Sequence, residues 1–178
     1  MKLLTQGKVL RILEERTDLE GAARDIFAKL SAQNVKIIRI KDFPEPRYID
    51  NRDGTVFDTW HNIYIVKLPH TDLPNHFKEA MPWEEFKIAC AELSFAGHKG
   101  WFLPSPVQGF SLVKNNPTGP QIDMSIFKDT KEAGYWTNEE VAWSKSNARV
   151  VNYDNGYVGY SGKGNLYYVR PVRPSSVI

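Results

Sequence analysis

The sequence predicts an α+β chain: a main body with an antiparallel β-meander and two packed helices, preceded by a small N-terminal helical segment. Two observations lead there. Apolar residues recur at helical spacing over 17–34 and again from Trp83 to Leu93, and residues 148–172 alternate short β-prone runs with Gly- and Asn-containing turns. A third observation, the Phe43-Pro44-Glu45-Pro46 break, divides the chain into an N-terminal α/β appendage (1–43) and a main domain (44–178).

In the appendage, Val9, Leu10 and Leu13 fall on one side of an expected short helix. Thr17 and Glu20 make a capping-box pattern for a second helix over 17–34, with Leu19, Ala23, Ile26, Phe27 and Leu30 on one face. Val35 to Ile40 then reads as a strand rich in β-branched residues.

After the prolines, Arg47 to Asp50, a turn at Asn51-Arg52-Asp53-Gly54, Thr55 to Asp58 and the run Ile63 to Val66 predict a hairpin or three-stranded ribbon. Pro82 suits the first turn of a helix whose buried face is Trp83, Phe86, Cys90 and Leu93, ending near Gly97. Residues 100–120 are rich in Pro, Gly, Ser and Asn and read as a long ordered surface loop. The meander follows: Ala148 to Asn152, a turn at Asp154-Asn155-Gly156, Tyr157 to Tyr160, a turn at 162–165, and Leu166 to Val172.

Composition narrows the function. With 23 Lys and Arg against 21 Asp and Glu, a formal charge of +2 gives no excess that would draw nucleic acid. Charged residues interrupt the start of the chain before an apolar signal-peptide core forms, and no window reaches the length of a membrane span. The expectation is a protein that is soluble and cytoplasmic when made, or assembled into a particle, with its final compartment open. The single cysteine, Cys90, has no internal disulfide partner and sits among apolar neighbours, which predicts a buried thiol and not a nucleophile.

The chemistry-bearing residues form no catalytic pattern. His61, His70, His76 and His98 lie in unrelated segments without zinc-site spacing, and Ser105 and Ser161 lack a nucleophile elbow. Gly156, Gly159, Gly162 and Gly164 are turn glycines and make no phosphate loop. Trp83, Trp101 and Trp136 read as core, while Trp60 and Trp143 flank polar residues and read as partly exposed.

Five segments in order carry a resemblance: RYIDNRDGTVFDT from Arg47, Trp83 with AELSFAGHKGWFLP from Ala91, Ile122-Asp123 with Phe127, GYWT from Gly134, and ARVVNYDNGYVGYSGKGNLYYVRPVR from Ala148. Together, over about 44–174, they resemble the C-terminal domain family of the Legionella collagen-like adhesins. The resemblance implies a C-type-lectin-like fold, similar also to the formylglycine-generating enzymes, in a surface or secreted ligand-binding role. Phe102 stands where the family's Trp-Arg-Leu-Pro motif has Arg, and Pro106 and Gly109 replace a helical segment, so no regular helix is expected there. One cysteine cannot supply the cysteine pair of the formylglycine-generating enzymes, and the Glu-Pro-Asn and Trp-Asn-Asp triplets of calcium-dependent lectins are absent. The expected binding is therefore calcium-independent, with no cofactor and no metal site, although Asp50, Asp53 and Asp58 are scattered carboxylates.

The expected ligand-binding residues are Asn152, Tyr153, Asp154, Asn155, Tyr157, Tyr160, Asn165 and Trp143, because tyrosine rings beside adaptable amides suit a binding surface. A period-two strand sends alternate tyrosines to opposite faces, so part of the set is expected outside and part in the core. The leading function is a non-catalytic protein that binds a glycan or protein ligand or receptor through this meander and the 100–120 loop. The alternatives are a structural subunit of a phage particle or surface assembly, self-associating through residues 1–43, and a variable protein whose Asn and Tyr codons are diversified by a retroelement. An enzyme is the least supported class.

Overall fold

The computed structural model describes residues 10–12, 37–39, 44–67, 72–128 and 130–175. The chain separates into two compact units, Met1–Arg47 and Tyr48–Ile178. In the first, strand β1 (Leu10–Ile12) pairs in parallel with β2 (Ile37–Arg39). Leu10 was expected on a helix; it is in a strand instead, because a backbone ladder with Ile37 outweighs weak local helical spacing. The helix expected over 17–34 lies outside the described residues.

The second unit opens with β3 (Tyr48–Asp50), β4 (Thr55–Asp58) and β5 (Ile63–Val66), paired antiparallel in sequence order. The β3–β4 turn takes left-handed geometry at Arg52 and Gly54, as its Asn-Arg-Asp-Gly sequence allows. The last strand, β9 (Val172–Pro174), joins this sheet beside β5.

Helix α1 (Trp83–Glu92) follows Pro82, with Glu84 and Glu85 in its first turn where the helix dipole favours them. It buries Trp83, Phe86 and Cys90, the face its spacing predicted. A second helix, α2 (Pro106–Ser111), stands where none was expected. Ser105 and Gln108 form a reciprocal capping box and Pro106 starts the helix, a position at which a missing N–H costs nothing. Gly109, the apparent helix breaker, is a packing residue: a Cβ there would sit 3.0 Å from Val151 Cγ2. The 100–120 segment is thus no simple surface loop, since Trp101, Leu103 and Leu112 are buried.

The second sheet is a meander of β6 (Gly134–Val141), β7 (Ser144–Asn152) and β8 (Tyr157–Gly162). It begins one strand earlier than expected, and Leu166 to Val172 adds no fourth strand. That tail instead bridges elements: Tyr167 pairs with Met81, Tyr168 runs parallel to Tyr135, and Val172 pairs with Phe102 before β9 enters the first sheet. Phe102 is held there through its backbone, in reciprocal 2.9 Å bonds with Val172.

Cores lie on both faces of β6 and β7. On one, Trp136, Ala148 and Val150 pack with Trp83, Phe86 and Trp101; on the other, Tyr135, Val151 and Tyr153 pack with Leu112, Ile122 and Phe127. The indole N–H groups of Trp83, Trp101 and Trp136 donate to the carbonyls of Thr137, His98 and Met81 at 2.7, 3.1 and 2.9 Å, so these large rings are buried without an unsatisfied donor. Arg170 is also fully buried, donating to Val66 O at 3.0 Å and Thr130 Oγ1 at 2.7 Å, with Phe127 under its guanidinium. Burial draws its pKa below the usual arginine value.

Gly134 lies under the Tyr167 ring, and a Cβ there would overlap that ring and approach Val150 Cγ1 to 2.7 Å. Gly134→Ala is expected to lower unfolding free energy by about 1–3 kcal/mol, the usual cost of overpacking a close-fitting site. Urea unfolding followed by tryptophan fluorescence measures it, and an unchanged midpoint would contradict this packing.

Candidate functional site

The cores that enclose β6 and β7 stop at β8. In antiparallel register Arg149 faces Tyr160, Val151 faces Val158, Val150 faces Gly159 and Asn152 faces Tyr157. Tyr160 and Val158 therefore project on the side of Arg149 and α2, and Tyr157 projects on the other. All four residues from Tyr157 to Tyr160 are exposed.

The largest exposed rings gather here. Trp143, at the tip of the tight β6–β7 turn, is 69% exposed; Tyr157 is 72% and Tyr160 54% exposed. Trp143 meets Tyr160 edge to face at 6.0 Å between centroids. The Arg149 guanidinium sits 5.2 Å over the Trp143 ring and is steadied by Glu139 at 3.7 Å. The product is an exposed aromatic pair with a guanidinium against the Trp143 ring, the chemistry that suits stacking on a sugar ring or an apolar side chain beside an acidic group.

The structure divides the expected ligand set. Trp143 and Tyr160 come together, and Tyr157 stands alone on the opposite face of the same strand. Tyr153 is corrected to core: it is 1% exposed, packs on Tyr135, and its hydroxyl donates to Gly109 O at 2.9 Å. The hydroxyl needs a buried acceptor and the glycine of α2 presents one, so this ring cannot reach a ligand. Asn152 Oδ1 accepts from Asp154 N, Asn155 Oδ1 accepts from Tyr157 N, and the Asn165 amide donates to Ser161 Oγ. These amides hold the turns. Asp154 is exposed at the β7–β8 tip.

Sequence reasoning missed Arg149, Val158 and the exposed Val107 and Phe110 of α2. Arg149 carried a signal, since it alternates with buried Ala148 and Val150 and so belongs to the other face of β7. Val107 and Phe110 carried none once the helix itself was discounted.

Elsewhere the polar groups serve the fold. Asp50 pairs with Lys67 at 2.7 Å, which lowers its pKa, Asp53 accepts from Thr55, and buried Asp58 lies 2.9 Å from His61. His98 stacks on Tyr64. Among the described residues no group of three or more His, Cys, Asp or Glu is placed to hold a metal, and no helix is long and apolar enough to cross a membrane. A shallow pocket beside β3 and β4 is lined by Tyr48, Asp50, Lys67 and Ser125 and shares no residue with the aromatic edge.

The second unit is thus an α+β domain of two antiparallel sheets and two helices. Residues 50–173 match the Lcl C-terminal domain family, and the chain belongs to it, the family that the five sequence segments resemble. The matched span leaves the Met1–Arg47 unit outside. No curated protein matches the chain.

Burial raises the Cys90 thiol pKa to about 12. In native protein at pH 8 Cys90 is expected to resist a thiol-specific disulfide reagent, and to react fully once urea unfolds the chain. Prompt reaction of native protein would show that the α1 core is open.

Proposed function

We propose that the chain is a non-catalytic binding domain that holds a glycan or protein ligand, without calcium, on the Trp143–Tyr160 pair with Arg149 beneath it. One observation carries this reading: two large aromatic side chains, Trp143 and Tyr160, are exposed and in contact on one face at the edge of a sheet whose inner strand is anchored by buried Ala148, Val150 and Val151. Exposed rings fixed on a rigid support lose little conformational freedom on binding, which favours stacking. Membership of an adhesin-like family supports the same role.

The turn-holding work of Asn152, Asn155 and Asn165 weighs against free diversification of this hairpin, since rewriting those codons removes the bonds that shape it. Tyr157 and Tyr160 tolerate change more readily.

A glycan array of the whole chain, with a panel of extracellular protein ligands beside it, tests the proposal. Tyr160→Ala or Trp143→Ala is expected to weaken a detected interaction by about tenfold or more, from ~1–3 kcal/mol per stacked ring, with unfolding midpoints unchanged. Binding that survives both substitutions moves the site elsewhere and refutes the assignment.

A further inference from the structure

The outer strand of the meander has an unused edge. Trp136 N donates to Tyr168 O and Tyr168 N to Gly134 O, so these groups of β6 point away from β7 and the Tyr135–Val151 pair bonds across it. Alternation then turns the backbone of Val150 toward Gly159, and Lys163 N donating to Ser146 O at 2.9 Å continues the same phase. The N–H and C=O groups of Val158 and Tyr160 consequently point outward, and among the described residues no backbone group meets them.

Natural sheets blunt such an edge with lysine, proline or a bulge. This one has none of these: Tyr-Val-Gly-Tyr-Ser-Gly carries no charge and no proline, and its register with β7 is unbroken. The lone irregularities of this sheet fall between β6 and β7.

We propose that β8 pairs antiparallel with β8 of a second copy of this chain about a two-fold axis through Gly159. In the symmetric register that bonds these two outward residues to each other, Val158 faces the other copy's Tyr160, Tyr157 faces its Ser161, and Gly159 faces Gly159. Each exposed Tyr160 then gains an aromatic–β-branched neighbour on its own face, a favourable cross-strand pair. No like charges meet: Lys163 comes opposite Asn155 and beside Asp154 of the other copy.

Sterically the register is open. A Cβ built on Gly159 has nothing within 4 Å, so nothing fills the axis. With strands ~4.8 Å apart the two β7 strands lie about 14 Å from each other, which accommodates two α2 helices of ~10 Å diameter side by side. Exposed Val107 and Phe110 of each copy project from the helices on that shared face. The joined sheet also carries both Trp143–Tyr160 pairs on one side, although the pairing itself does not depend on their having a ligand.

Sedimentation of the whole chain over a range of concentrations, combined with cysteine crosslinking, tests the proposal. Val158→Pro removes an outward N–H and the β-branched side chain that faces the other copy's Tyr160, leaves the backbone bonds of Tyr157 and Gly159 to β7 in place, and is expected to raise the dimer dissociation constant by about tenfold or more. Gly159→Cys places two thiols on the axis, where Cα atoms of a non-bonded pair lie about 4.5 Å apart and a disulfide forms on oxidation. Ser161→Cys places its thiols about 14 Å apart at ~3.4 Å per residue, so it is expected not to crosslink. A chain that stays monomeric at every concentration overturns the proposal. So does a dimer that persists in Val158→Pro, or one in which Ser161→Cys crosslinks as readily as Gly159→Cys.

Discussion

Burial on both faces of the paired segments around Tyr135–Trp136 of β6 and Val150–Val151 of β7 is the constraint from which the rest of the second unit follows. Trp136 and Val150 hold one face against α1, while Tyr135 and Val151 hold the other beneath α2. A strand enclosed in this way can neither slip nor twist without opening a core, because a one-residue shift would exchange its two apolar faces. Large indoles with satisfied N–H groups make the enclosure costly to disturb, at ~3–5 kcal/mol for truncating any one of them. The tail from Tyr167 to Pro174 closes the structure by contacting Met81, Tyr135 and Phe102 in turn and then completing the first sheet.

That enclosure gives β8 its character. It inherits a fixed position from β7, yet both cores end before reaching it, so its rings are rigid at the root and exposed at the tip. Stacking surfaces need both properties, since a mobile ring would lose its entropy on contact and a buried one would offer no face. The aromatic pair, the guanidinium beneath it and the open backbone edge are consequences of one arrangement.

Much of this was legible in the sequence, and the failures have physical causes. The α1 face, the three core tryptophans, the β3–β4 turn and the β7–β8 hairpin follow from local spacing and turn residues, which need no tertiary information. The helix α2 was misread because Pro106 and Gly109 are poor helix formers by propensity alone. Pro106 starts the helix inside the local Ser105–Gln108 capping box, whereas the use of Gly109 as a close-packing residue depends on Val151 and Tyr153, far away in the chain. Tyr153 was misassigned for the same reason, as its hydroxyl finds its acceptor on that unforeseen helix. Period two correctly split the tyrosines, but it could not show that β8 lies beyond both cores, which leaves Tyr157 and Tyr160 exposed on opposite faces. The face of Arg149 could be read from its alternation with Ala148 and Val150, but its place opposite Tyr160 needed the register.

Residue-resolved hydrogen exchange in dilute protein reaches the central claim most directly. If β7 is enclosed and β8 is a bare edge, the amides of Val150 and Val151 exchange only through global unfolding, while those of Val158 and Tyr160 exchange from the native state, orders of magnitude faster. Comparable rates across these four amides would contradict the enclosure of β7, and with it the rigid support on which the proposed binding surface stands.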